Sequence, residues 1–133
     1  MLITVDTRKP LDQIREDLPR ACAAHQFGVL GVHDLGQKLR EKGAAYGGEC
    51  LVFDVCNPQK AREALEAIPE IATALPCRIA AYRTRDGRTR LSTIRPTLLL
   101  GMFGEAGLGS LAAEVEAILH AIMEEAAREP RHS

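Results

Sequence analysis

The sequence predicts an α+β domain, a largely antiparallel sheet with helices packed on one face, and three observations carry that prediction. Strand-like and helix-like periodicities mix along the chain without the strict alternation that a parallel sheet requires. Asp86-Gly87, set between two runs of strand character, is the strongest short hairpin signal, and hairpins join antiparallel strands. The longest helical stripe comes last: Leu108, Leu111, Ala112, Val115, Ile118, Leu119, Ile122, Met123 and Ala126 share one face.

Taken in order, Leu2 to Val5 alternates as a short strand, and Pro10 marks a helix start. Leu11, Ile14, Leu18, Ala21 and Cys22 then recur at spacings of three and four, with Pro19 expected to kink or break the helix near Leu18. Phe27 to His33 is a second strand, with Phe27, Val29 and Gly31 on one side and Leu30 and Val32 on the other. Asp34 caps a short helix, Leu35 to Lys42, which Gly43 ends in the left-handed conformation. In the third strand Leu51, Phe53 and Val55 form the core face. Cys50, Val52 and Asp54 form the other, and a mid-strand carboxylate marks that face as wet or partnered.

Asn57 and Pro58 are the cap and first residue of the next helix, whose stripe is Ala61, Ala64, Leu65 and Ile68, and Pro69 stops it. Strands at Cys77 to Thr84 and Arg88 to Ile94 flank the hairpin turn. Pro96 breaks the chain away before Leu98, Leu99 and Leu100, and a glycine-rich connection, Gly101 to Gly109, leads into the last helix.

With 133 residues the chain is one domain, expected over 1–128 with a flexible tail at 129–133, and it can bury roughly two thirds of its unfolded surface. No disulfide or metal is needed to hold a core of that size. A net charge of -1 argues against a protein that coats nucleic acid or an anionic membrane. No window approaches the ~20 apolar residues of a membrane span, and the N-terminus reads as a strand rather than a leader, so a cytoplasmic location is expected. In a reducing compartment Cys22, Cys50, Cys56 and Cys77 are buried thiols rather than disulfides.

Glu49-Cys50, Val55-Cys56-Asn57-Pro58, Ala61 and Leu75-Pro76-Cys77 make up a pattern that resembles the bacterial and archaeal family known as domain of unknown function 302. Phe27-Gly28-Val29, Leu39, Lys42-Gly43 and Asp86-Gly87 support the resemblance, which covers residues 1 to 126. It implies an α+β fold like the TATA-box-binding-protein architecture, often dimeric, and no established activity. Pro19 departs from the family pattern.

Two candidate sites follow from the residues. Cys56 stands just before a helix N-terminus, where amide donors and the macrodipole favour a thiolate. Cys77 joins it if the fold brings both to one sheet end, and Asn57, Cys50 and His33 complete the candidate thiol site; the plain alternative is that the cysteines are small apolar packing residues. In the hairpin a two-residue turn would set Arg85 opposite Arg88 and Arg83 opposite Arg90, placing four guanidiniums on one face as an anion patch. The plain alternative there is a solvated tip. No metal-ligand spacing, catalytic triad or P-loop is present, and the connection at Gly107-Leu-Gly-Ser is too weak a match for nucleotide binding, so no cofactor is implied.

The leading functional reading is a non-enzymatic cytosolic module that forms a homodimer and binds a small ligand or protein partner through a sheet face or the hairpin. The rival is cysteine-dependent handling of sulfur, thiols or a soft metal through Cys56 and Cys77. Anion or nucleic-acid binding at residues 78–95 is the weakest of the three.

Overall fold

The computed structural model describes residues 1–104 and 108–130. In chain order the elements are β1 (Leu2–Thr7), α1 (Leu11–Ala24), β2 (Gly28–Asp34), α2 (Leu35–Glu41), β3 (Cys50–Cys56), α3 (Pro58–Ala67), a 3-10 helix (Pro69–Ala74), β4 (Cys77–Arg83), β5 (Thr89–Ile94), α4 (Pro96–Gly101) and α5 (Gly109–Ala127). The five strands form one antiparallel sheet in the order β1-β5-β4-β3-β2, so the class is α+β as the periodicities predict. Strands β2 to β5 are sequential neighbours. Only β1 crosses to the far edge, where it pairs with β5.

The core lies between the sheet and the helices. Phe53, Val55, Ile79 and Leu91 from the strands meet Ile14, Leu18 and Cys22 of α1, Ala64 of α3, and Leu119, Ile122 and Met123 of α5. Leu51, Phe53 and Val55 are buried while Cys50, Val52 and Asp54 are half-buried, the alternation expected of a strand covered on one face. No helix among the described residues is long and apolar enough to cross a membrane.

Four local readings need correction. Helix α1 runs unbroken through Pro19 from Leu11 to Ala24. In β2 the register shifts between Val29 and Gly31, so Leu30 is a bulge that stands 67% exposed while Val29 and Val32 both pack against the core. The extra residue resets the alternation that simple period-two counting assumes. Leu65 lies at the margin of the α3 stripe and is 40% exposed. After Pro96 the chain turns at once into the short helix α4, with proline at the first helical position where its missing N–H costs nothing. Gly107 of the glycine-rich connection and residues 131–133 of the expected tail lie outside the described residues.

The other helix ends follow their residues. Asp34 accepts from the Gln37 amide at 3.0 Å, and Gly43, with φ of 85°, takes the left-handed conformation just beyond α2. Glu116 on α5 stitches α4 in place, accepting from the Thr97 amide and hydroxyl at 3.2 and 2.6 Å with Arg95 at 3.3 Å. The Thr97 hydroxyl, more than any other neighbour, holds the Glu116 carboxyl below its ordinary value. At the other end of α5, Thr7 Oγ1 donates to the Ala127 carbonyl at 2.8 Å and Lys9 Nζ to the Ala126 carbonyl at 2.7 Å, satisfying two carbonyls that a helix terminus would leave bare.

Candidate functional site

The antiparallel order brings the start of β2, the end of β3, the start of β4 and the end of β5 to one end of the sheet. Gly28 pairs with Cys56 and Val55 with Cys77 there. Asn57 shapes the turn beyond β3: its side chain accepts from the Lys60 amide at 3.0 Å, capping α3, and donates to the Gln26 carbonyl at 3.3 Å. The 3-10 helix then carries the chain back to the same end, and Leu75-Pro76 leads into β4.

Two cavities open at this end. The larger, about 290 Å³, lies between the 3-10 helix, the start of β4, the end of β5 and α4, with Leu75, Cys77, Arg78, Thr93, Ile94 and Leu99 in its lining. The smaller, about 30 Å³, is lined by Phe27, Cys56, Asn57, Leu111 and Val115 among others. Leu75, Cys77 and Leu100 line both, so the Cys77 thiol stands in the partition between them.

Of the candidate thiol residues, Cys56, Cys77 and Asn57 therefore meet at one cavity. Cys50 does not: it starts β3 at the opposite end of the sheet, paired with Tyr82. The thiols are all free. Burial pushes Cys77 up to about 11, with the neighbouring Cys56 adding to it, and burial also raises Cys56. Burial thus moves Cys56 in the direction opposite to the thiolate that a helix N-terminus was expected to favour. Among the described residues no group of three or more His, Cys, Asp and Glu side chains could hold a metal ion.

His33 belongs to a different cluster, on the sheet face away from the core. Its Nε2 lies 2.8 Å from Asp54 Oδ2 and its Nδ1 3.1 Å from Lys38 Nζ. An ammonium can only donate, so Nδ1 accepts and Nε2 carries the proton given to Asp54. The other Asp54 oxygen, Oδ1, is 3.4 Å from Arg78 Nε; it is buried and makes no hydrogen bond among the described residues. Adjacency in sequence points to Asp34 as the partner of His33. The register of β2 on β3, which sets Gly31 opposite Asp54 and His33 opposite Val52, supplies Asp54 instead.

The hairpin departs from the expected register. Thr84 N donates to the Arg88 carbonyl at 2.8 Å and Gly87, with φ of 83°, donates to the Thr84 carbonyl at 3.1 Å, so the loop is Arg85-Asp86-Gly87 rather than a two-residue turn. Thr84 hydroxyl bonds to Asp86 and to the Arg88 amide favour that closure. Arg83 consequently pairs with Thr89 and Arg90 with Tyr82, which puts the two arginines on opposite faces. Arg83 has Glu49 at 3.5 Å, Arg88 has Asp86 at 3.7 Å, and Arg90 holds Asp6 in a two-pronged pair at 2.7 and 3.0 Å. Only Arg85 of the four has no carboxylate within 4.0 Å among the described residues; the shared guanidinium face is absent.

The larger cavity is the feature that sequence reasoning missed. Its far wall is α4, and the only local signals for it are the apolar run Leu98-Leu99-Leu100 after Pro96 and the Leu75-Pro76-Cys77 tripeptide it faces.

A family model described as Domain of unknown function DUF302 matches residues 3–126. The crystal structure of an uncharacterized conserved protein DUF302 from Bacillus stearothermophilus is similar over nearly the whole fold, with a TM-score of 0.89 and 31% sequence identity across 96% of this chain and 98% of that one. No curated protein matches the chain.

Proposed function

Since the chain belongs to the DUF302 family, whose name carries no activity, we propose from its own geometry that it is a non-enzymatic domain binding a small molecule in the 290 Å³ cavity at the sheet end. The observation that carries this reading is the cavity itself: an apolar body of Leu75, Ile94, Leu99 and Leu100 with a few polar groups at fixed places. Small-molecule sites have that composition and begin at about 300 Å³. The ligand site moves accordingly from the sheet face or hairpin to the sheet end.

Leu99→Trp fills the cavity from α4 without touching the sheet. It is expected to abolish the amide shifts that hexanamide, a neutral probe of matching size, induces at Thr93 and Leu99 in two-dimensional NMR. Unchanged shifts in the variant would remove the cavity from the reading.

Raised thiols weigh against thiolate chemistry at Cys56 and Cys77, so we assign Cys77 to the lining of this cavity and Cys56 to that of the smaller one rather than to a reaction. The homodimer stays within the proposal, supported by a sheet face away from the core that carries Leu2, Val52, Ala80, Tyr82 and Ile94. Light scattering is expected to return twice the chain mass at micromolar protein; a single chain mass would exclude it.

A further inference from the structure

We propose that the ligand of this cavity is a small monocarboxylate with an apolar body, and that Arg78 holds its carboxylate; the inference rests on the cavity being the ligand site. Among the described residues Arg78 is the only charged one in the lining, and none of the lining residues is acidic. Arg78 adds a cation to a lining that is otherwise largely apolar, and such a lining complements a molecule with an apolar body and one anionic end.

The guanidinium is also underused. Its one ion pair is the 3.4 Å approach of Nε to Asp54 Oδ1, its side chain makes no hydrogen bond among the described residues, and it is 72% exposed. The two Nη groups, which grip a carboxylate side by side, are therefore without protein partners among the described residues. Asp54 does not take that place, because His33 holds its other oxygen at 2.8 Å and fixes the carboxylate toward Nε alone.

Thr93 completes the arrangement as a positioning residue. Its Oγ1 donates to the Arg78 carbonyl at 2.6 Å, which holds the backbone beneath the guanidinium against β5. A volume of 290 Å³ corresponds to about ten water-sized groups, room for a short acyl chain.

Titrations with hexanoate, hexanamide and inorganic phosphate, followed by NMR at Thr93 and Leu99, test the inference. Hexanoate is expected to bind at least about tenfold more tightly than hexanamide, the range of a charge-assisted hydrogen bond, and phosphate not to bind. Arg78→Gln, an exposed substitution that leaves the core intact, is expected to bring hexanoate down to the level of hexanamide. Equal binding of the two probes to the parent protein would overturn the carboxylate assignment and leave the cavity reading standing. A preference for hexanoate that survives Arg78→Gln would overturn the role of Arg78. Phosphate binding as tightly as hexanoate would overturn the apolar requirement. Shifts that neither probe produces would overturn the inference together with the cavity reading.

Discussion

Replacing Phe53 with alanine is expected to destabilise the fold by about 3–5 kcal/mol, a large part of the net stability of an ordinary domain. Phe53 is fully buried, paired with Val32 on one neighbouring strand and Ile79 on the other, and sits where the sheet meets the helices. Removing its ring leaves a space that the surrounding strand residues cannot close without giving up their register. The melting temperature should fall by more than about 10 °C on that basis. Leu65→Ala, 40% exposed on α3, is the control and should cost well under about 1 kcal/mol. Equal melting temperatures for the two variants would mean that the core is not centred where Phe53 lies.

Thiol reactivity should divide the cysteines just as sharply. Cys22 and Cys77 are each raised by burial to about 11 from an ordinary 9.0, and at neutral pH that alone cuts the reactive thiolate about a hundredfold. Cys50 and Cys56, half-buried at opposite ends of β3, are raised too, by burial. Iodoacetamide is thus expected to label Cys50 and Cys56 before Cys22 and Cys77 in the native protein, with the order lost once urea unfolds the chain. The sign with pH is fixed by the same cause. Cys77 labelling should keep rising about tenfold for each pH unit until pH approaches 11, because only the deprotonated form reacts. Mass spectrometry of peptides labelled over a pH series reads this directly, and a Cys77 that reacts as fast as Cys56 near neutral pH would contradict it.

The sequence made the fold class and most elements legible because their signals are local. The stripe of α5, the alternation of Leu51, Phe53 and Val55, and the Asn57-Pro58 helix start all fall where expected. What escaped depends on contacts between distant segments or on a single inserted residue. The bulge at Leu30 costs one residue and leaves no mark on composition, yet it reverses which side chains face the core. The hairpin was found, but its loop length was set by the Thr84 hydroxyl rather than by Asp86-Gly87 alone, and that one-residue difference dispersed the arginine face. The cavity needs the 3-10 helix, two strand ends and α4 to come together, which spacing along the chain cannot show. The meeting of Cys56 and Cys77 was posed correctly as a question of sheet ends. The burial that raises both thiols was not legible, because the residues enclosing them arrive from far along the chain.

The crossing of β1 to the far edge of the sheet has a consequence for how the protein is made. Strands β2 to β5 can assemble in the order in which they leave the ribosome, each beside its predecessor. The strand that leaves before them must wait: Leu2 has its partner at Ile94, and the Thr7 hydroxyl has its acceptor at Ala127. During that interval β5 presents an unpaired row of amides and carbonyls, the surface on which nascent chains associate wrongly. The entropically costly closure of the longest loop is therefore also the step that covers the β5 edge.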